Sequence, residues 1–188
     1  MTEVKKYEYG IGIDPGWKNL GFAIVRQEVG KQDIELVHSC VLNPAELGGI
    51  IAALTKVCKI IEEHITFPSI VPDKVHSGLE RYVSYANVNT AEAENILMMI
   101  GALVVGLNYY NKGTSGTHMV RAIDWKTKLV KALFKWKKFS NPSDKLDKKF
   151  SVAAAKAIIS NQMEFDTNHE ADAICIAALP LIPGLRQA

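Results

Sequence analysis

The sequence predicts an α/β fold: one mixed five-stranded sheet, three strands antiparallel and the rest parallel, with helices on both faces. Three observations carry this. Residues 7–42 read as three apolar, β-branched or alternating runs separated by turn residues, which is a meander. From Asn43 onward, helical spacing alternates with single strands, as helical crossovers between parallel strands require. The 188 residues, 48% hydrophobic and 22% charged, suit one soluble domain, residues 1–188, with a substantial core.

The first strand is expected over Tyr7–Asp14 and the second over Leu20–Gln27, joined by the turn residues Pro15-Gly16-Trp17-Lys18-Asn19. So short a connection makes them a hairpin. Asp33–Leu42 completes the meander. Asn43–Ile65 then takes helical spacing, with Leu47, Ile50, Leu54, Val57, Ile61 and Ile65 on one face. After Pro68 and Pro72, "KVHSGLERYV" reads as a fourth strand ending near Glu80. Thr90–Tyr110 is a long apolar helix, and "HMVRAI" (His118–Ile123) a short fifth strand. A lysine-rich helix follows over Asp124–Lys138, then a polar, mobile break, "SNPSDKLDKK". Helices over Phe150–Gln162 and Asn168–Leu179 finish the chain.

Net charge is only +2, but it is unevenly spread. Arg121–Lys149 holds ten Lys/Arg against Asp124, Asp144 and Asp147, so this segment is +7 and the remainder −5. A basic segment on a mildly acidic body points to a polyanionic partner. The scattered Cys40, Cys58 and Cys175 form no C-x-x-C pair, so neither a zinc site nor a disulfide framework is indicated, and buried thiols are expected. "MTEVKKYEYG" lacks the apolar stretch of a signal peptide. The longest apolar run, Ile96–Leu107, falls short of the roughly 18 residues that span a bilayer. A cytoplasmic protein with no membrane partner is the expectation.

Carboxylates stand where strands should finish. Asp14 closes the first strand after Gly10 and Gly12 on its own face, and Pro15 ends regular pairing there. An Asx-type turn is the competing explanation. Glu80 repeats the pattern at the end of the fourth strand, and pairing with Arg81 is disfavoured because strand neighbours point to opposite faces. Two such acids can meet at the carboxyl edge of the sheet, where α/β folds place ligands. In "DTNHEADAICIAAL", Thr167 and Glu170 have capping-box spacing, which gives Glu170 a structural task. His169 and Asp172, three apart, then share one helix face. The positive helix end favours ionised Asp172 and works against protonated His169. Three carboxylates and an imidazole crowded together call for a cation. Oxygen-rich ligation selects Mg²⁺ or Mn²⁺, and two ions ~4 Å apart can clamp the attacking and leaving oxygens of a phosphoryl displacement.

"GIDPGWKNLG", "GLERYV" and "HEADAICIA" resemble, in order from about Gly10 to Ala178, the motifs of RuvC-type Holliday junction resolvases. The element order is likewise that of a ribonuclease H-like domain. The resemblance implies a ribonuclease H-like nuclease fold and a homodimer that cuts paired strands at a four-way DNA junction with divalent metal. It carries the metal-binding catalytic set onto Asp14, Glu80, His169 and Asp172, with water as nucleophile. His169 replaces an acid present in some members, which implies a ligand or water-orienting role. The match is similar to the small resolvases of phages. Dimers of this family pack through the helix corresponding to residues 90–110.

Lys128, Lys131, Lys135 and Lys138 fall in one helical stripe, with Leu129, Leu133 and Trp136 on another face. With no acid interspersed after Asp124, phosphate contact is expected of the stripe. The family's DNA-contacting lysines map loosely onto Lys126 or Lys128 and onto Lys148 or Lys149. Its base-stacking aromatic maps onto Tyr82, with core packing the alternative. Trp17 and Lys18 follow Asp14 in the turn and are expected beside the metals. The first motif also resembles the phosphate hairpin of actin-like ATPases, but those need two such domains. Further alternatives are another ribonuclease H-like nuclease acting on branched DNA or RNA–DNA hybrids, and a non-catalytic junction-binding protein.

Overall fold

The computed structural model describes residues 5–65, 72–82, 90–114, 116–137, 139, 145–161, 164–165 and 167–185. Five strands, β1 (Tyr7–Asp14), β2 (Leu20–Glu28), β3 (Ile34–Leu42), β4 (Pro72–Glu80) and β5 (Thr117–Val120), form one sheet in the order β3-β2-β1-β4-β5. The pairs β1–β2 and β2–β3 are antiparallel, whereas β4 lies parallel to both β1 and β5. The expected mixed sheet is therefore present, with helices on both faces.

Alternation along β1 and β2 sets what each face receives. Tyr9, Ile11, Ile13, Leu20, Phe22 and Ile24 point to one side. There they bury against α2 (Ile50–Ile65) and α3 (Thr90–Tyr110), through residues such as Val57, Ile61, Ile96 and Leu103. The other side of β1 offers Gly10, Gly12 and Asp14, paired with Val25, Ala23 and Gly21 of β2. Helix α6 (Asn168–Ala178) lies on that floor, backed by α5 (Lys148–Ile158) and α4 (Ala122–Lys137).

The glycines set the distance. A Cβ on Gly10, Gly12 or Gly21 would stand 1.9, 2.0 or 2.1 Å from the carbonyl oxygen of Ala177, Ala173 or His169 respectively. No side chain fits there, so the backbone of α6 rests on the backbone of the sheet.

Several boundaries differ from expectation. The helix expected over Asn43–Ile65 is two helices, α1 (Pro44–Leu47) and α2. Gly48 and Gly49 between them take φ of +97° and +102°, and Leu47 is left exposed rather than on the buried face. Strand β5 stops at Val120, because the Arg121 carbonyl accepts from the N–H groups of Asp124 and Trp125 and starts α4 early. Helix α5 begins at Lys148, not Phe150, because the Asp147 carboxylate caps Lys149 and Phe150 N–H. It ends at Ile158, where Ile159 pairs with Ile34 and the Asn161 side chain bonds both Leu36 N–H and C=O. That contact covers the free edge of β3. Residues 140–144 of the expected break, and Gln162, lie outside the described residues. Cys175 is buried, but Cys40 and Cys58 are only half-buried.

By length and composition α3 could cross a bilayer. Its Ile96, Met99, Ile100, Leu103 and Leu107 are, however, part of the core.

Candidate active site

The capping box at the start of α6 forms as the spacing requires: Thr167 Oγ1 accepts from Glu170 N–H, and the Glu170 carboxylate accepts from Thr167 N–H. Glu170 also accepts the Ser39 hydroxyl at 3.0 Å, which ties the helix start to β3. With the helix start so fixed and its backbone seated on Gly21 and Gly12, His169 meets Asp14. His169 Nδ1 lies 2.7 Å from Asp14 Oδ2. The first and last motifs thus meet across 155 residues of sequence.

Asp14 and Glu80 end neighbouring parallel strands and share the α6 face. Burial, and then the nearby Asp14 carboxylate, push the Glu80 carboxyl up to about 7, against the pull of a hydrogen bond from Trp125. Trp125 Nε1–H donates to Glu80 Oε2 at 2.8 Å. Asp172, one helical turn on from His169, is also raised by burial, while Lys126 and the Ser151 hydroxyl pull it down and Asp14 adds to the rise. Lys126 Nζ stands 3.3 Å from Asp172 Oδ1. That contact is charge pairing rather than an aligned hydrogen bond, since the buried Oδ1 has no hydrogen-bond partner among the described residues.

His169 departs from the helix-end argument. The Asp14 hydrogen bond outweighs burial and raises the imidazole above its ordinary value. A charge-assisted hydrogen bond, worth about 1.5–3 kcal/mol, overrides the repulsion of a helix terminus, typically about 0.3–1 kcal/mol. Nδ1 is occupied, which leaves Nε2 as the ring nitrogen for substrate, water or metal among the described residues.

The donor chemistry fits a hard divalent cation: carboxylates crowded together, with Glu80 raised by burial and by Asp14, call for positive charge. The sphere is nonetheless not closed. Among the described residues no three His, Cys, Asp or Glu side chains stand positioned around one ion. Each donor is instead held by a protein group: Asp14 by His169, Glu80 by Trp125, and Asp172 by Lys126.

The expected DNA-facing residues divide. Lys128, Lys131 and Lys135 are exposed on α4, opposite buried Trp125, Leu129 and Leu133, as the stripe requires. Lys138 lies outside the described residues. Lys126 is not in the stripe; it is turned inward onto Asp172 and lies over the Trp125 ring, 4.9 Å from its centroid. Lys148 and Lys149 are exposed in the first turn of α5 and, with Lys156 and Asn168, line a shallow 460 Å³ cleft beside His169. Lys18 is exposed in the β1–β2 turn. Tyr82 does not stand free as a base platform: its ring packs with the α2–α3 core and its hydroxyl is buried. Trp17 likewise joins that core, on the face away from Asp14. Tyr85 lies outside the described residues.

Two residues escaped the sequence reading. Trp125 carries no signal in the spacing of α4, and only the fold shows its indole reaching β4. Phe134 is 67% exposed between Lys131 and Lys135, an aromatic among cations. A larger cleft of 690 Å³, lined by Lys74, His76 and His118 among others, contains none of the four candidate residues.

The sequence matches no protein-family model and no curated relative. Solved structures do match. RuvC of T. thermophilus in complex with Holliday junction substrate superposes with a TM-score of 0.58 at 17% identity, covering 92% of this chain and 90% of that one. A second Thermus thermophilus RuvC structure gives 0.58 at 18% identity, over 91% and 90%. The yeast mitochondrial Holliday junction resolvase Ydc2 gives 0.53 at 16% identity, over 89% of this chain and 75% of that one. At such identities the likeness establishes the fold, which is the RuvC-type ribonuclease H-like fold.

Proposed function

We propose that this chain is a structure-selective DNA endonuclease that resolves four-way junctions by metal-dependent phosphodiester hydrolysis, acting as a homodimer. The observation that carries the reading is the 2.7 Å contact of His169 with Asp14, which joins α6 to the end of β1, beside the parallel strand that ends in Glu80. Asp14, Glu80, His169 and Asp172 would hold Mg²⁺ or Mn²⁺. Such ions supply charge neutralisation at the scissile phosphate and a more acidic attacking water. The chain's own groups do the rest. His169, its Nδ1 held by Asp14, leaves Nε2 to face the ion or to orient the attacking water. Lys126 balances Asp172, and the exposed Lys128, Lys131, Lys135, Lys148 and Lys149 would bind backbone phosphates.

The dimer reading rests on α3. Leu97, Met98, Val105 and Tyr109 form a continuous stripe on its outer side, 56 to 84% exposed, and none of the described residues comes within 4 Å of a Cβ built on Gly101. A two-fold axis through that stripe would set two centres on symmetry-related strands of a junction.

The test offers a four-way junction, a linear duplex and an RNA–DNA hybrid of equal length with Mg²⁺, Mn²⁺ or EDTA. Metal-dependent paired nicks in the junction alone support the proposal. Hybrid cleavage overturns the substrate assignment and favours another ribonuclease H-like nuclease; junction binding without cleavage under every metal overturns the catalytic one.

A further inference from the structure

We propose that Trp125 is a positioning residue that holds Glu80 as a one-oxygen ligand and thereby tunes the centre toward small octahedral cations and away from Ca²⁺. The inference rests on the metal-dependent nuclease reading. Glu80 ends β4, and α4 begins directly after β5, the parallel neighbour of β4, so its first turn returns past the same sheet edge. Trp125 heads the buried stripe of that helix, with Leu129, Ala132 and Leu133 behind it, and is 1% exposed. Packing alone would accept any large apolar side chain there. The indole adds one polar atom, and that N–H is spent on Glu80 Oε2 at 2.8 Å.

The choice of donor has consequences. An indole N–H donates only, its nitrogen lone pair being part of the ring π-system, and it does not titrate, so it never competes for the ion. Lys126, by contrast, places a full positive charge beside Asp172. With Oε2 engaged, Glu80 presents Oε1 to a cation. One carboxylate oxygen with several waters suits Mg²⁺ or Mn²⁺, whereas Ca²⁺ takes six to eight oxygens and gains from a two-oxygen carboxylate. Partners of metal ligands commonly contribute 10- to 100-fold in affinity, about the size of effect expected here.

The test titrates Mn²⁺ and Ca²⁺ by calorimetry into the DNA-free protein, as wild type, Trp125→Phe and Leu129→Ala. Leu129→Ala opens a cavity on the same buried stripe without removing a polar atom. The expected result is Mn²⁺ affinity about tenfold lower in Trp125→Phe, Ca²⁺ affinity unchanged or higher, and the wild-type ratio kept in Leu129→Ala. Should Trp125→Phe fail to fold, the isostere 3-benzothienylalanine at position 125 removes the N–H while keeping the shape. A wild-type ratio after loss of the N–H, or an equal shift in Leu129→Ala, overturns the positioning role alone. No Mn²⁺ binding by the wild type overturns the metal reading beneath it as well.

Discussion

The two faces of this sheet are built from the same strands on opposite principles. One face is thick with Tyr9, Ile11, Ile13, Leu20, Phe22 and Ile24, and side chains fill the space to α2 and α3. The other is bare: Gly10, Gly12 and Gly21 let the α6 backbone touch down. The thick face gains apolar burial and tolerates adjustment, because side chains can repack. The bare face has no such slack, and it is there that Asp14, Glu80, His169 and Asp172 gather. Close backbone contact leaves the helix little room to shift. A candidate centre made of side chains from three elements requires that precision.

Loading each face separately should break this comparison most visibly. Gly12→Ala would put a Cβ 2.0 Å from Ala173 O and 2.4 Å from Ala177 N, both backbone atoms. It is expected to cost about 4 kcal/mol or more in urea unfolding, and to abolish cleavage even where the protein remains folded. Ile61→Ala, fully buried on the thick face, should cost about 2–5 kcal/mol yet leave cleavage per folded molecule unchanged.

The bare face also carries the pH dependence. Glu80 is raised from 4.5 to about 7 in the fold, so between these values the native state binds the extra proton. Stability from this group is therefore intact below about pH 4.5 and is lost as pH rises through about 7, by roughly 3 kcal/mol in all. His169, also raised, acts in the same sense: its protonated, Asp14-paired form stabilises the fold below its ordinary value and is lost as pH rises. The metal-free protein should melt lower at pH 8 than at pH 5.5, Glu80→Gln should flatten most of that slope, and Mn²⁺ should raise the melting temperature at pH 8. A metal-free melting temperature that climbs over this range would contradict the assignment.

The smallest stability effect belongs to the outer side of α3. Val105→Asp, at a 75% exposed position, should change unfolding free energy by only about 0.5 kcal/mol, yet halve the mass seen by light scattering. A wild-type monomer by the same measurement would remove the dimer from the account.

Much of this was legible from residue patterns. Strand β1 and helix α3 have the expected bounds because their ends coincide with Pro15, Thr90 and the close of an apolar run. The cap of α6 follows from Thr167 and Glu170 alone. The glycines before Asp14 were visible as room beside a carboxylate, but what fills that room, the α6 backbone, is a long-range fact that local spacing does not encode. For the same reason Lys126 looked like a phosphate ligand and Tyr82 like a base platform. One is drawn inward by Asp172 and the other by the α2–α3 core. The break between α1 and α2 stood in the sequence as Gly48-Gly49, and an apolar periodicity running through it concealed it.

The most direct test of the central claim, that the contact between β1 and α6 assembles a nuclease centre, is single-turnover cleavage of a four-way junction by Asp14→Asn, with junction binding measured in parallel. The account predicts at least a hundredfold slower cleavage, on the order of losing one group that stabilises charge in the transition state, with binding kept within a fewfold. Cleavage by the variant at close to the wild-type rate would contradict it.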